Sequence, residues 1–519
     1  MKFTLFSDQI SGQVYGQAHG QAHGQGRQPE NRGGLADLDV DLLAVALHKE
    51  NLKESENFKL LDQRLDGNLA RIAEEERFTG KPLQTLLVHT HGKIAAPRLL
   101  LVGMGPKGET NVADLRHAAA KAARAARGVG VKRLGFALPP GRTDARSVEL
   151  VAEGILLGRY KYDRYLTSDD AKRPDVLEGV VLAVGPEGDA QSFAAATRRG
   201  EIIAGAVARA RDLVNEPAGD LTPRRLAAVA EELAKARGLE VEILGPEKCR
   251  ELGMGMFLAV AQGSEEEPRF IHLTYKPKTP AKKKVVLIGK AVTFDSGGLS
   301  LKPSSGMEDM KVDMAGSAAV IQAIGALAEL EVPVEVHVLA AATENMPSGK
   351  SYKLGDVLRS MAGKTVEINN TDAEGRLTLG DAMAFAQTLK PDEIIDFATL
   401  TGACMVALGP NIAGVMTNNA ELADRWLAAA KAAGEEMWAL PLPERLKDQL
   451  KSDIADMKNT GERQGGALTA GLFLKEFAAG TPWVHVDIAG PATEAKEFGA
   501  FAKGGTGFPV ATIVEYLSR

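Results

Sequence analysis

The run Val285-Val286-Leu287-Ile288 is apolar throughout and mostly β-branched, the pattern of a strand covered on both faces. Further strands are expected downstream at Val334–Leu339, Lys364–Ile368, Glu393–Ala398 and Trp483–Asp487. Between them lie stretches of helical period. Residues 313–330 place Ile321, Ile324, Leu327 and Leu330 on one stripe. Strands alternating with helices predict a central, mostly parallel sheet. Such a sheet binds ligands outside the carboxyl ends of its strands, so chemistry is expected in the loops that follow these runs.

A second sheet is expected upstream. Lys2–Phe6, Leu42–Leu47, Gln84–His89, Arg98–Val102, Leu134–Leu138 and Gly179–Val184 read as strands. Leu69–Glu75, Val112–Arg127 and Ser147–Gly158 read as helices, and Ala190–Asn215 as a long one ended by Pro217. The expected fold is α/β in two domains, each with a central, largely parallel or mixed sheet flanked by helices. The expected division is an N-terminal domain at 1–188, a linker helix at 189–215 and a second domain at 216–519. Residues 12–34 are rich in Gly and Gln and repeat Gly-Gln-Ala-His. They hold too few bulky apolar side chains to order themselves, so a flexible insertion is expected. Its His19 and His23 are not expected to form a specific metal site.

Gly103-Met104-Gly105-Pro106-Lys107-Gly108 follows one of the upstream strands and is a literal Gly-x-Gly-x-x-Gly. Pro106 inside the turn, and the want of an acid about 20 residues further on, depart from a dinucleotide fingerprint. A tight strand-to-helix turn is expected there, with nucleotide or phosphate binding as the alternative.

The formal net charge of −6 gives the whole chain no electrostatic footprint for nucleic acid. Two cysteines, Cys249 and Cys404, far apart in sequence, suggest no disulfide framework. No run is expected to reach the length of a membrane span, and Met1–Phe6 is too short and mixed for a signal peptide. A cytoplasmic location fits.

The chemistry concentrates in three stretches. In Asn369–Leu377, Asp372 and Glu374 stand two apart beside Gly375 and Arg376, between a β-type run and a helical one. Two acids in such a loop converge on one cation more comfortably than they share a site without one. A solvated turn with Arg376 as counter-ion is the alternative. The second stretch, Gly289–Pro303, carries Lys290, Asp295 and Lys302, and the third carries Asp313 at a predicted helix start. Singly, these read as a strand end, a turn residue and an N-cap. Together, Asp295, Asp313, Asp372 and Glu374 put four carboxylates at one sheet edge, and two divalent ions would balance them. Oxygen-rich ligation suits manganese, magnesium or zinc. None of the nine histidines falls in these motifs. His337 and His485 lie in strands and read as core or supporting residues.

These residues resemble the leucyl (cytosol) aminopeptidase family of two-metal peptidases. The resemblance is carried by Lys290 with Asp295, Ser300-Leu301-Lys302-Pro303, Val312-Asp313-Met314 and, most specifically, Asn370-Thr371-Asp372-Ala373-Glu374-Gly375-Arg376-Leu377. Asn215-Glu216-Pro217, Ala398–Ala403 and Asp487–Gly490 add to it. It is dense from Asn215 onward, weaker upstream, and the 12–34 insertion departs from the family pattern.

The resemblance implies that 216–519 is a catalytic peptidase domain holding two divalent ions, Mn2+ or Zn2+. Asp295 and Glu374 would bridge them, Asp372 would complete one site, and Lys290 with Asp313 the other. Lys302 and Arg376 would be catalytic, the arginine by holding a bicarbonate. Met310, Thr399 and Gly402 would line the pocket for the first side chain of a peptide. It further implies a homohexamer and a role in peptide turnover. A DNA-binding regulatory role, known among bacterial members, is the alternative, though the net charge does not support it. The physics is compatible. A lysine ligates a metal only when neutral, so its ordinary pKa of ~10.4 must fall. Two metals sharing a water can lower its pKa from ~15.7 to about 7 and supply a hydroxide nucleophile.

Overall fold

The computed structural model describes residues 1–6, 14–15, 34–50, 52–109, 111–142, 144–168, 174–184 and 189–518. Apart from Val14–Tyr15 and Gly34, the insertion 12–34 lies outside them, and with it His19, His23 and the flexibility expected there. The chain forms two compact units, Met1–Gly205 with Glu497–Ala502, and Ala206–Lys496 with Lys503–Arg519. The helix Ala190–Asn215 runs through the division between them.

The first unit is built on a seven-stranded sheet. Lys2–Phe6, Gly179–Ala183, Arg133–Ala137, Leu42–Leu47 and Arg98–Gly103 run parallel, and Val14–Tyr15 and Thr85–His89 close its edges antiparallel. Leu42–Leu47 is buried along its whole length, as a central strand covered by helices must be. The Gly103–Gly108 turn has a packing explanation. A Cβ on Gly103 would sit 2.1 Å from the Lys81 carbonyl oxygen, and one on Gly105 would sit 2.8 Å from Pro82 Cγ. The glycines admit a neighbouring chain segment rather than a ligand. The following helix, Val112–Gly128, caps itself: Asn111 accepts from Ala113 N and Asp114 N, while Asp114 accepts from Asn111 N. Its first-turn donors are engaged and an acid stands beside them, which disfavours a phosphate.

The second unit carries a nine-stranded mixed sheet. Its order is Met437–Ala439, Ala413–Thr417, Trp483–Asp487, Glu393–Ala398, Lys284–Gly289, Glu335–Asn345, Arg269–Tyr275 and Glu240–Leu244, with Ala291–Asp295 beside the far half of Glu335–Asn345. The strands around Lys284–Gly289 are parallel and the outer pairings are mostly antiparallel. Val286 and Ile288 pack with Leu377, Leu379 and Met383 of the helix Gly375–Thr388. The helix Ala315–Glu329 packs against the same strand.

Three expectations are corrected here. Lys364–Ile368 does contain a strand, Thr365–Glu367, but it lies in a separate three-stranded sheet with Val357–Arg359 and Met457–Lys458. Its burial alternates, with Val366 inside and Thr365 and Glu367 half-exposed, whereas the central strands are buried on both faces. The helix expected from residue 313 starts at Ala315, after a 3-10 turn at Met310–Met314. Finally, the helical run Ser304–Glu329 is long and apolar enough to cross a membrane, yet 83% of its apolar window is buried inside the protein. It is a core helix. Cys249 and Cys404 are both free and buried, each thiol pushed up to about 12 by burial.

Candidate metal centre and active site

Three loops meet beyond the carboxyl ends of the central strands. Lys290 follows Lys284–Gly289 directly, and Asp295 ends the next short strand. Asp313 sits in the 3-10 turn; the following helix is capped by Met314 with no side-chain bond, so Asp313 is not spent as an N-cap. Asp372 and Glu374 come from the loop after the side sheet. That loop is drawn to the central edge by Thr371, which is fully buried. The Thr371 hydroxyl donates to Gly297 O at 2.7 Å and accepts from Ser300 N at 2.8 Å. Its carbonyl accepts from Tyr352 OH at 2.7 Å and from Asn345 Nδ2 at 3.0 Å. Asn345 also donates to Asp295 Oδ1 at 2.8 Å. Sequence reading missed Asn345 and Tyr352, and named Thr371 within a motif without giving it a role. The only signal was a polar residue closing the alanine-rich end of a buried strand.

Lys290 Nζ lies 2.7 Å from Asp313 Oδ1, 2.8 Å from Glu374 Oε1 and 3.1 Å from Thr399 O. Lys302 Nζ lies 2.9 Å from Asp295 Oδ2 and 2.5 Å from Asp372 Oδ1. Only glycine allows the first arrangement, because a Cβ on Gly375 would stand 2.6 Å from Lys290 Nζ. Thr399 ties in through its hydroxyl, which donates to Asp313 Oδ1 at 2.8 Å. Arg376 is buried and donates through Nη1 to Asn459 O at 2.6 Å. The stretch is therefore no solvated turn. Apart from Glu374, every site residue singled out in the sequence, including Met310 and Gly402, lines one cleft of about 670 Å³. Glu374 lies behind it, 1% exposed.

The electrostatics show how crowded the anions are. Burial, reinforced by Glu374, pushes Asp295 up to about 6. Burial raises Asp313 and Asp372 as well. Burial is the largest influence on Glu374 and would raise it, but Lys290, through its charge and its hydrogen bond, together with Lys302 leaves it lowered. Both lysines are deeply set, but their carboxylate partners outweigh the cost of burial and hold them above the ordinary lysine value. Burial brings Arg376 down to about 10.

Asp295, Asp372 and Glu374 offer ligand atoms all within 4.8 Å of one another. Asp313 Oδ2 and Glu374 Oε2 are fully buried and accept no hydrogen bond. A buried carboxylate oxygen without a partner costs roughly 1–3 kcal/mol or more, so the donor set fits divalent cations and is poorly explained without them. Hard oxygen donors with one amine suit manganese or zinc.

Carboxylates clustered at the edge of a mixed α/β sheet, with two lysines and an arginine, define a metal-dependent hydrolase. Residues 208–514 match the catalytic domain of the cytosol aminopeptidase family, and residues 43–169 match that family's N-terminal domain. A probable cytosol aminopeptidase of Thermosynechococcus vestitus is 46% identical over 491 residues, spanning 93% of this chain and 97% of that one. A second, from Picosynechococcus sp., is 46% identical over 465 residues, spanning 89% and 93%. Among solved structures, a point mutant of tomato leucine aminopeptidase superposes with a TM-score of 0.84 at 37% identity, covering 94% of this chain and 95% of that one. The bottromycin maturation enzyme BotP in complex with Mn superposes at 0.81 and 37% identity, covering 92% and 99%. The chain belongs to the cytosol aminopeptidase family. It is a metallo-aminopeptidase and a hydrolase of peptides.

Proposed function

We propose that this aminopeptidase removes leucine and other apolar residues from the N-termini of short peptides in the cytoplasm, as part of peptide turnover. One observation carries the reading: Asp313, in the cleft with Asp295 and Asp372, and Glu374, behind it, each keep a buried carboxylate oxygen without a hydrogen-bond partner. Asp295, Asp372 and Glu374, with Lys290 and Asp313 beside them, would hold two divalent ions. When bound, the ions would supply Lewis acidity and lower the pKa of bound water from ~15.7 to about 7.

The chain's own side chains do the rest. The carboxylates alone favour protonated Lys290, and a dication beside it acts in the opposite sense. Lys302 reaches into the cleft and would neutralise the charge that grows on the scissile carbonyl oxygen. Arg376 would hold a bicarbonate, whose contribution when bound is proton transfer. The apolar wall at Met310, with Thr399 and Gly402, would receive the first side chain.

Protein stripped with a chelator should lose hydrolysis of leucine p-nitroanilide and regain it with manganese or zinc. Full activity after stripping would contradict the metal assignment. We further propose a homohexamer, for which light scattering should give six times the mass of the 55.0 kDa chain. A DNA-binding role draws no support from a net charge of −6.

A further inference from the structure

The cleft is lined by one guanidinium that the chemistry above leaves unused. The loop between the strand Met457–Lys458 and the helix Gly466–Lys475 contributes Thr460, Glu462 and Arg463 to the lining. Its first half is fastened to the 369–375 loop. Asn459 is fully buried; it donates through Nδ2 to Asn370 O at 2.6 Å and accepts from Asn369 N at 2.9 Å. Its carbonyl is the one that receives Arg376 Nη1. Thr460 N and the Thr460 hydroxyl donate to Asn369 Oδ1 at 3.1 and 2.8 Å, and Asn369 Nδ2 donates back to Thr460 O at 3.1 Å. Two residues on, Glu462 N donates to Gln449 Oε1 at 3.0 Å.

Arg463 follows this anchored backbone, and its side chain is exposed. Among the described residues its guanidinium meets no carboxylate and makes no hydrogen bond, and the adjacent Glu462 does not pair with it. The other cations lining the cleft are committed. Lys290 and Lys302 each face two carboxylates at 2.9 Å or less, and Arg376 is held by Asn459. Arg463 therefore offers a free planar fork of donors, the geometry that matches a carboxylate through two bonds. Each residue of an extended peptide advances at most about 3.3–3.6 Å, so a substrate of two or three residues ends in a carboxylate while still inside or beside the cleft.

We propose that Arg463 is a specificity-determining residue that binds the C-terminal carboxylate of a di- or tripeptide, making short peptides with a free carboxyl end the preferred substrates. The inference rests on the aminopeptidase reading above. With the first side chain at Met310, Thr399 and Gly402 and the scissile carbonyl at Lys302, the rest of the substrate leaves along the wall formed by residues 459–463. The Arg463 fork meets its end there. No bond changes at that carboxylate during the reaction, so the interaction is the same in ground and transition states and shows in KM rather than in kcat. Glu462 lines the same wall and opposes an anion, which sets a limit on the preference.

The test compares leucylglycine with leucylglycinamide on the full-length, manganese-loaded enzyme. The two share the scissile bond and differ in the carboxylate. Wild-type KM should be lower for the acid, and added salt should narrow the gap, because exposed charges are screened. Arg463→Gln should raise KM for leucylglycine roughly 3–10-fold, the scale of an exposed two-bond pair, and raise it far less for the amide, with kcat held for both. Arg463→Lys, which keeps the charge and loses the fork, should recover part of the preference. Glu462→Gln should widen the gap, and thermal melting confirms that each variant is folded. A ratio of the two KM values that Arg463→Gln leaves unchanged, or a wild-type ratio insensitive to salt, would overturn the proposal. Leucine p-nitroanilide carries no carboxylate and reads the peptidase itself, so a wild type that fails to hydrolyse it would instead remove the aminopeptidase reading.

Discussion

Two loops that lead into helices in this chain have opposite fates. In the first unit, Gly103–Gly108 leads to a helix whose first-turn donors are met by Asn111 and whose first-turn acid, Asp114, answers a backbone N–H. In the second, the 369–375 loop leads to a helix whose cap position is Glu374, and Glu374 makes no capping bond at all. It turns instead toward Lys290 and leaves one oxygen without a partner. The first loop satisfies itself and so has no capacity left for chemistry. The second sacrifices local satisfaction, and the deficit is what a metal ion would fill.

The sharpest way to break this contrast is to remove the deficit. Glu374→Ala should lower kcat/KM about 1,000-fold or more, as losses of essential groups do, while the protein still melts cooperatively. Activity within tenfold of wild type would mean that Glu374 is an ordinary helix residue. One step out, Asn345→Ala removes the donor that holds Asp295 Oδ1 and Thr371 O. It should cost roughly 10–100-fold in metal affinity or activity, measured by metal titration of stripped protein. Unchanged affinity would show that the two loops meet without it.

The self-satisfied loop should respond in the other currency. Asn111→Ala should cost about 1 kcal/mol of stability, the usual value of a cap, with kcat/KM unchanged. Denaturant unfolding checks the first part and a steady-state assay the second. The last effect expected is on acid lability in the second unit, and it is felt only at low pH. Burial, with a lesser push from His337, brings His272 down to about 4. A histidine depressed in the folded state binds fewer protons there than when unfolded. Its contribution is complete above about pH 6.5 and is lost as pH falls from there through 4. His272→Asn should flatten the fall in melting temperature across that window. An unaltered pH profile would assign the acid limb to other groups.

Much of the site was legible because metal chemistry needs particular residue types at particular spacings. Lys290, Asp295, Asp313, Asp372, Glu374 and Arg376 announce themselves in three short motifs. What brings the motifs together was not legible. Thr371, Asn345 and Tyr352 act through bonds spanning 19 to 74 residues of sequence; Thr371 sits in a motif that does not show this role, and no local pattern marks the other two. The strand at Thr365–Glu367 shows a similar limit. Periodicity identified it as a strand, but which sheet a short strand joins depends on its partners. The run at 304–329, where no span was expected, passes by length and composition, and only its burial shows that it belongs to the core.

Metal analysis of protein purified without added metal tests the central claim most directly. Two divalent ions per chain are expected in the wild type and in Asn111→Ala, and fewer than two in Glu374→Ala. A wild type that stays metal-free when offered manganese or zinc, or a Glu374→Ala variant that keeps both ions, would contradict the account.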